Sequence, residues 1–346
     1  MRLLLVKMSS MGDLVHTFPA ISDALQYVEG LEISWLVEEA FVDIAKAHPG
    51  VKTVIPICLR RFLGNPLAHR AEFFSGIKTL RNMQFDRVLD AQGLIKSGIV
   101  SRLTGCSIRD GLDSGSAREG LAAYFYTDTH SITRNKHAVD RTRQLFASTL
   151  SYSLPEGEAQ FGVGEGPETQ AATDMPYAVF LHGTSWQNKQ WPEHFWKKLA
   201  QMCANAGYAL KLPSGNVEEF ARSKRIGDGL DNCKLLDKVP LAELRHLCAG
   251  ASFVVSVDTG LGHLAGALGV PVIGLYGPTD ENLTGIRGRK SSNLKANFDC
   301  APCMQRRCTY KPGELQSIQP PCFATITPET VWLEIQHSLG IDQTKC

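Results

Sequence analysis

The chain has 346 residues, of which 43% are hydrophobic and 21% are charged, and its formal net charge is +1. This composition excludes a disordered or fibrous protein, and the near-neutral charge gives no general case for nucleic-acid binding. Because the length exceeds the size at which one core usually keeps growing, we expect two domains of roughly 150 to 180 residues each.

The chain begins MRLLLVK, an apolar run of only four residues, which is too short for a signal peptide and fits a first buried strand. The apolar region around 264–277 is interrupted by glycine and proline, well short of the ~20 residues that a membrane-spanning helix needs. We therefore expect a cytoplasmic protein, and we leave peripheral contact with a membrane surface open.

Strands and helices alternate through the first half of the chain. Apolar runs predict strands, and helical spacing predicts helices, as follows: strands at 2–7, 32–37, 51–57 and 87–91, and helices at 13–29, 38–48 and 71–84. A less regular region covers 105–135, and helical spacing returns at 137–150. The alternation predicts a parallel sheet that is covered by helices on both faces and joined by right-handed crossovers.

A second alternation follows a segment at 155–176 that is rich in Gly, Pro, Glu and Thr and predicts a linker. Its elements are strands at 177–182, 208–213, 233–236, 252–257 and 271–276, and helices at 193–206, 217–228, 240–249 and 261–268. The fold class is therefore α/β, with two Rossmann-like doubly wound domains, at 1–160 and 177–325, that we expect to face each other across a cleft. A final helix and tail at 326–346 fit either domain, and packing on the N-terminal domain is one of the two options.

The densest group of ligand-type residues is SVDTGLGHLAGALGVPVIGLYGPTD at 256–280. A buried strand ends at Asp258-Thr259-Gly260, and helical spacing begins directly afterwards. Ligands of open α/β sheets lie outside the carboxyl ends of strands, where the N-terminus of the next helix favours an anion. The segment predicts a site for a phosphate-bearing ligand.

Two loops in the first half also place polar groups at strand ends. KMSSMGD at 7–13 fits an ordinary turn and helix cap, but it also puts Asp13 where a carboxylate can accept a proton from an incoming hydroxyl. DAQGLIKS at 90–97 combines a carboxylate, an amide and an ammonium group, as either a ligand site or a salt-bridged turn. The sequence has no G-x-G-x-x-G here, which disfavours a dinucleotide-dependent oxidoreductase.

HGTSWQNKQWP at 182–192 follows a strand of the second half and offers hydroxyls, backbone N–H groups and the cation of Lys189. These groups suit a diphosphate without a divalent metal, because Lys189 can neutralise charge on a leaving phosphate. A plain helix-entry loop with a solvated lysine is the alternative. Trp191 fits packing better than base stacking.

Basic residues cluster at Arg60-Arg61, at Arg118 and within 134–143. They are either solvated surface groups or, if they gather around the cleft, groups that favour a multiply anionic acceptor.

The chain has ten cysteines, and five lie in apolar surroundings that predict small core residues: Cys58, Cys106, Cys203, Cys233 and Cys248. Four more are clustered near the end: Cys300, Cys303, Cys308 and Cys322. Their spacing fits no standard zinc finger well, so a structural metal and reduced or partly oxidised thiols both stay open.

Together these motifs resemble the ADP-heptose:lipopolysaccharide heptosyltransferases of glycosyltransferase family 9, and most closely their type I branch. The resemblance spans nearly the whole chain and rests on VKMSSMGDLVHTFPA at 6–20, IPICLRR at 55–61, DAQGLIKS at 90–97, SAREGLA at 116–122, HAVDRTRQLFA at 137–147, LHGTSWQNKQWP at 181–192 and the 256–280 segment. It implies a GT-B fold and inverting transfer of L-glycero-D-manno-heptose from ADP-heptose to the Kdo sugar of Kdo-lipid A, in the lipopolysaccharide inner core.

The resemblance also implies roles for individual residues, with Asp13 as general base and Lys189 as the group that stabilises the diphosphate. The implied donor-binding residues are Thr184, Ser185, Lys189, Glu219, Val239, Asp258, Thr259, Gly260 and His263. The implied acceptor-binding residues are Ser10, Gly12, Arg60, Arg61, Lys96, Arg118, His137 and Arg141. We expect no metal ligand in the active site, no cofactor, no nucleic-acid partner, and a monomer at the cytoplasmic face of the inner membrane.

Some residues depart from the family pattern. Ser185 and the loop after it replace a Thr and a more charged loop, and Val239 stands where Met is common. The cysteine cluster is closer to type II relatives, so addition of a later heptose, or transfer to a phosphorylated Kdo, stays open. A non-catalytic nucleotide-sugar-binding protein is the other alternative, and the presence of both Asp13 and Lys189 argues against it.

Overall fold

The computed structural model describes residues 1–163, 175–310 and 318–341. The chain divides into two compact units, Met1–Val163 and Gly164–Cys346. Most of the predicted linker, at 164–174, lies outside the described residues. The predicted domain limits therefore stay a prediction.

The first unit alternates strands and helices as predicted, but it also contains strands and helices that the sequence does not predict. Its strands are β1 (Arg2–Val6), β2 (Glu32–Glu38), β3 (Val51–Ile57), β4 (Arg87–Asp90), β5 (Arg109–Leu112) and β6 (Asp128–His130). Its helices are α1 (Met11–Val15), α2 (Phe18–Tyr27), α3 (Val42–Lys46), α4 (Leu59–Gly64), α5 (Pro66–Asn82), α6 (Ile95–Leu103) and α7 (Ala138–Leu150), with 3-10 turns at Glu39–Phe41 and Gly120–Phe125.

The strands of the first unit that the structure describes form a parallel sheet in the order β3-β2-β1-β4-β5-β6. The central strand β1 is apolar and buried from Leu3 to Val6, as expected for a strand covered on both faces. One side of this sheet packs against Phe73, Ile77 and Leu80 of α5. Helix α5 begins where Asn65 accepts a hydrogen bond from the backbone N–H of Ala68 and Pro66 occupies the first turn.

The second unit repeats this architecture. Its strands are β7 (Tyr177–Leu181), β8 (Ala209–Ser214), β9 (Cys233–Asp237), β10 (Phe253–Val257), β11 (Val272–Tyr276) and β12 (Ser291–Lys295). Its helices are α8 (Glu193–Asn205), α9 (Val217–Gly227), α10 (Leu241–Ala249), α11 (Gly260–Ala267), α12 (Glu281–Thr284) and α13 (Pro328–Ser338), with 3-10 turns at Gln187–Lys189 and Pro321–Thr325. The described strands form a parallel sheet in the order β12-β11-β10-β7-β8-β9.

Helix α13 contributes Val331 and Ile335 to the core of the second unit, where it packs against α8, β11 and β12. Trp191 is fully buried in the same core and donates from Nε1 to the carbonyl oxygen of Ile326 at 2.9 Å. Trp191 therefore packs, as its sequence context predicts.

Both sheets have the strand order of a doubly wound dinucleotide-binding domain. The predicted α/β fold with two Rossmann-like domains is confirmed. Within the described part of the chain, no helix is both long enough and apolar enough to cross a membrane.

Candidate active site

The strand order reverses once in each sheet, between β1 and β4 in the first unit and between β7 and β10 in the second. Doubly wound sheets bind ligands at this switch point, outside the carboxyl ends of the strands. The four loops that leave these ends are 7–10, 91–94, 182–186 and 258–259, and they carry or adjoin most of the polar residues that the sequence predicts for the site.

Asp13 lies in the first turn of the short helix α1, three residues after Ser10. Its Oδ2 accepts hydrogen bonds from the backbone N–H of Ser10 at 2.9 Å and from the Ser10 hydroxyl at 2.8 Å. These hydrogen bonds form the helix cap that the sequence predicts for this segment. They also fix the position of the carboxylate in the segment that follows β1. Gly12 belongs to the same turn, and its carbonyl oxygen accepts from the backbone N–H of His16.

The side chain of Gln92 holds the loop that leads to α1. Its Oε1 accepts from the backbone N–H groups of Met8 at 2.8 Å and Ser9 at 3.1 Å, and its Nε2 donates to the carbonyl oxygen of Ser9 at 2.5 Å. One amide thus satisfies three backbone groups of a loop more than 80 residues earlier in the chain. The sequence shows the amide at this sheet edge but not this function.

Asp90 and Lys7 are buried beneath the same loops and support them. Asp90 accepts from the Tyr126 hydroxyl at 2.8 Å and from the backbone N–H of Gln92 at 2.8 Å, yet burial raises its pKa above the ordinary value. Lys7 donates to the carbonyl oxygen of Ala91 at 2.7 Å. Burial lowers the pKa of Lys7, and the negative charges of Asp13 and Asp90 oppose that change.

The two arginines predicted after β3 have different surroundings. The backbone N–H of Arg60 donates to Glu38 Oε1 at 3.0 Å, and its guanidinium lies 5.3 Å from the ring centroid of Phe41. Arg61 instead forms ion pairs with Glu39 at 2.8 Å and Glu72 at 2.6 Å. Arg60 is therefore the better placed of the two for an additional anion, because two carboxylates already meet the charge of Arg61.

The other predicted acceptor residues lie around the β4 and β5 ends of the sheet. Arg141 donates to the carbonyl oxygen of Ser116 at 2.9 Å, and burial together with the charge of Arg134 lowers its pKa. His137 is buried and accepts from the backbone N–H of Val139, which caps α7. Arg118 is exposed, and its charge and that of Arg141 act on the pKa of Lys7. Lys96 is half-buried on α6, and its charge acts on the pKa of Glu38.

In the second unit, Lys189, Asp258 and His263 form one charged cluster. Lys189 Nζ lies 2.6 Å from Asp258 Oδ2, and His263 Nε2 lies 3.6 Å from Asp258 Oδ1. Burial alone would raise the pKa of Asp258, but hydrogen bonds and charges from His263 and Lys189 outweigh it and lower the pKa to about 2. Asp258 thus stays ionised and holds the Lys189 ammonium group in place.

The same cluster lies at the beginning of α11. Thr259 caps this helix in an extended conformation, and Gly260 is its first residue. The hydroxyl of Thr184 donates to the carbonyl oxygen of Asp258 at 3.4 Å, which joins the loop after β7 to the loop after β10. The first N–H groups of a helix have no intrahelical acceptor, so this corner offers backbone donors and a cation to an anion.

Glu219 and Val239 lie at the ends of the next two strands. Glu219 Oε2 accepts from the backbone N–H of Gly215 at 2.8 Å, and a Cβ on Gly183 would lie 2.7 Å from its Cδ, so glycine allows this close approach. Val239 follows β9 and is half-buried, and Ser185 is exposed in the loop after β7. Glu219, Val239 and Ser185 therefore all lie beyond the carboxyl ends of strands of the second sheet, and Val239 and Ser185 are accessible to solvent there.

Trp186 and Arg306 are residues of this site that the sequence does not single out. The Trp186 ring centroid lies 4.4 Å from Lys189 Nζ and 5.5 Å from the guanidinium carbon of Arg306. Asn188 is buried and donates from Nδ2 to the carbonyl oxygen of Gln305 at 3.0 Å, which ties the cysteine-rich segment to the Lys189 loop. No local sequence pattern signals a contact over more than 100 residues.

The nine cysteines that the structure describes are free thiols. Of the five predicted core cysteines, Cys58, Cys203 and Cys248 are buried, and Cys106 and Cys233 are half-buried. Among the described residues, no group of three or more His, Cys, Asp or Glu side chains is arranged to hold a metal ion.

Comparison with known proteins gives the chain a family. The model of glycosyltransferase family 9 (heptosyltransferase) matches residues 73–313. Lipopolysaccharide heptosyltransferase 1 of Pseudomonas aeruginosa is 42% identical, over 99% of each chain, and the protein of the same name from Salmonella typhimurium is 43% identical, over 84% of this chain and 92% of its own. The solved structure of E. coli heptosyltransferase WaaC with ADP has a TM-score of 0.85 and 38% identity, and the match covers 98% of this chain and 100% of that one. The chain therefore belongs to glycosyltransferase family 9, the heptosyltransferases.

Proposed function

We propose that this glycosyltransferase is a type I heptosyltransferase, which transfers L-glycero-D-manno-heptose from ADP-heptose to Kdo of Kdo-lipid A in the synthesis of the lipopolysaccharide inner core. The observation that carries the proposal is the ion pair of Lys189 and Asp258 at the beginning of α11. It holds a cation beside free backbone donors, which is the arrangement that a nucleotide diphosphate requires. Both heptosyltransferase 1 relatives are more than 40% identical to this chain.

The second unit receives the donor in this proposal. The diphosphate of ADP-heptose contacts Lys189 and the N-terminus of α11, with Thr184, Ser185 and Thr259 as further donors. Glu219 accepts hydrogen bonds from ribose hydroxyls, and Val239 packs against adenine. When the bond between the heptose and ADP breaks, negative charge grows on the diphosphate, and Lys189 stabilises it.

The first unit provides the base. The acceptor hydroxyl of Kdo attacks the anomeric carbon of heptose on the face opposite ADP, and its proton passes to the carboxylate of Asp13. One glycosidic bond forms while the bond to ADP breaks, so the anomeric configuration inverts. The two hydrogen bonds from Ser10 support this role, because they fix the orientation of the carboxylate before substrate arrives.

The acceptor is a multiply anionic glycolipid. Arg60, Lys96, Arg118 and Arg141 supply positive charge around the β3, β4 and β5 ends of the first sheet, with His137 and Arg61 at its margin. Because the acceptor is anchored in a membrane by its lipid, we propose that the enzyme acts as a monomer at the cytoplasmic face of the inner membrane and binds that surface peripherally.

Mass spectrometry of the products from ADP-heptose and defined acceptors tests the proposal. We expect the wild-type enzyme to add one heptose to Kdo-lipid A, the Asp13→Ala variant to bind ADP-heptose without turnover, and the Lys189→Ala variant to lose both donor affinity and rate. Transfer only to an acceptor that already carries heptose would assign the chain to the type II reaction instead. Unchanged turnover of Asp13→Ala would remove Asp13 from the role of base.

A further inference from the structure

Three helices of the first unit contain many more basic than acidic residues, and within the described part of the chain only one of the basic residues, Arg61, is paired with carboxylates, those of Glu39 and Glu72. Helices α4, α5 and α6 contain seven Lys or Arg residues and one acidic residue, Glu72, in a chain whose total formal charge is only +1. The seven are Arg60, Arg61, Arg70, Lys78, Arg81, Lys96 and Arg102. Such an excess on neighbouring helices creates a local positive potential that the overall charge of the protein conceals.

These helices lie on the same side of the first sheet. The connections from β3 to β4 and from β4 to β5 run in the same direction across the sheet, and right-handed crossovers place their helices on one face. The contacts agree, since α4 packs on α5, α5 contacts α6, and α6 packs on the 3-10 turn Gly120–Phe125. We call this layer, α4 to α6 with the turn Gly120–Phe125, the basic layer.

The basic layer also exposes large apolar side chains. The most exposed are Leu67 (83%) and Tyr124 (84%), and Leu63, Phe74, Ile99 and Leu121 are exposed as well. A concentration of six such residues on one layer is typical of an interaction site, whereas scattered single residues need no explanation.

Helix α5 has separate inner and outer apolar positions. Phe73, Ile77 and Leu80 are buried against the sheet, while Leu67 and Phe74, seven residues apart, share an outer face. The buried positions already account for the packing of α5 on its own domain. Phe74 also makes ring contacts with Phe62 and Phe73, yet its side chain stays 55% exposed, so packing within the domain does not cover this outer apolar face.

Basic residues flank the exposed apolar residues at helical spacing. Arg70 and Lys78 lie three residues after Leu67 and four residues after Phe74 respectively, and both are exposed. The same pairing recurs on α6, where Arg102 lies one turn from Ile99, and before the 3-10 turn, where Arg118 lies three residues before Leu121. Apolar residues flanked by cations are typical of helices that lie in a membrane interface.

We propose that the basic layer binds the surface of an anionic phospholipid bilayer, with Leu67, Phe74 and Tyr124 entering the interface and Arg70, Lys78 and Arg102 meeting lipid phosphates. The inference rests on the proposed action on a membrane-anchored acceptor, and it names the surface that performs the docking. Arg60 and Lys96, which belong to the proposed acceptor site, lie on α4 and α6 of the same layer. A second copy of the chain is a poorer occupant, because two faces with the same excess of positive charge repel each other.

The test measures binding of the full chain to vesicles by flotation. Vesicles of phosphatidylcholine alone are compared with vesicles that contain phosphatidylglycerol, at low and high salt. The variants are Leu67→Ser/Phe74→Ser for the apolar component and Arg70→Gln/Lys78→Gln/Arg102→Gln for the charge. Leu333→Ser/Ile341→Ser, on residues that are 50% and 42% exposed in the second unit, is the matched control. Transfer is measured in parallel on a water-soluble, deacylated acceptor.

We expect wild-type protein and the control to bind anionic vesicles in a salt-sensitive manner, and both basic-layer variants to bind at least about tenfold more weakly. All four proteins should transfer heptose equally to the soluble acceptor. Equal vesicle binding by all four, binding independent of anionic lipid, or a wild-type dimer that Leu67→Ser/Phe74→Ser dissociates would overturn the docking surface. Absence of transfer by the wild type would instead refute the proposed function, so the two failures are distinguishable.

Discussion

Replacing Asp258 by Asn tests whether the charged cluster at the beginning of α11 stabilises the second unit through ionisation. The pKa of Asp258 is about 2 in the folded protein against an ordinary 3.8. Each pKa unit corresponds to about 1.4 kcal/mol, so the ionised carboxylate contributes about 2 kcal/mol to the free energy of unfolding at neutral pH. The Asn variant keeps the shape of the side chain and leaves the charge of Lys189 without its counterion.

The sign of the pH dependence follows from the lowered pKa. Because the carboxylate ionises more readily in the folded protein than in the unfolded one, its contribution is complete well above pH 3.8 and is lost as the pH falls towards 2. The difference in unfolding free energy between wild type and Asp258→Asn should therefore be constant from pH 8 to 6. It should fall to about half of that value near pH 3.

Urea unfolding followed by tryptophan fluorescence measures this difference, since four of the five tryptophans, all except Trp35, lie in the second unit. Asp228→Asn is the matched control, because Asp228 is paired with Lys197 at 3.8 Å on the surface, where ion pairs contribute little. A difference that is the same at pH 3 and pH 7, or no larger than that of the control, would refute the ionisation argument.

Two further predictions concern the loop before α1 and the packing of helix α11. Gln92→Ala removes three hydrogen bonds from the loop before α1, so we expect kcat to fall roughly tenfold to a hundredfold because Asp13 is misplaced. The affinity for ADP, measured by calorimetry, should stay unchanged. Weaker ADP binding with a normal kcat would contradict this prediction. Gly262→Ala places a Cβ 2.4 Å from Ser256 Oγ and should cost about 1–3 kcal/mol in urea unfolding, whereas Gly76→Ala, which meets no atom within 4 Å, should stabilise slightly. Equal effects of the two alanines would show that packing of α11 on β10 is not tight.

Strands with an apolar run could be predicted from sequence, and strands without one could not. The predicted limits of β3 match the structure although β3 lies at the sheet edge, because its residues VKTVIPI carry enough apolar side chains to signal a strand. The sequence missed β5, β6 and β12, whose residues RDGL, DTH and SSNLK show no apolar run. These three strands lie at or near a sheet edge. The backbone hydrogen bonds that pair them leave little trace in the pattern of side chains. The helix predicted at 13–29 is two helices, α1 and α2, with a break before Phe18–Tyr27.

In the site, too, residues marked by the local sequence could be predicted, and contacts between distant segments could not. The positions of Asp13 and Asp258 are predictable because each lies in the segment that follows an apolar strand, Asp258 directly and Asp13 in the first turn of the next helix, where parallel sheets place ligand groups. The contacts of Gln92 with Met8, and of Trp186 with Arg306, are not predictable, because they join segments far apart in sequence. Side chains of this kind decide how precisely a site is held, and only the folded chain brings them together.

The two switch points show that strand order alone does not assign chemistry. Both sheets have the same order and place a polar loop at the same position, yet the first holds the carboxylate of Asp13 and the second holds the ammonium group of Lys189. The two residues also have different partners. Asp13 accepts hydrogen bonds from the hydroxyl and the backbone N–H of Ser10, whereas Lys189 is paired with the carboxylate of Asp258. A base needs neutral donors that leave it able to accept a proton, and an anion site needs a cation that is already in place. The fold therefore provides two equivalent positions, and the roles proposed for them, Asp13 as base and Lys189 as diphosphate ligand, differ because the residues at those positions differ.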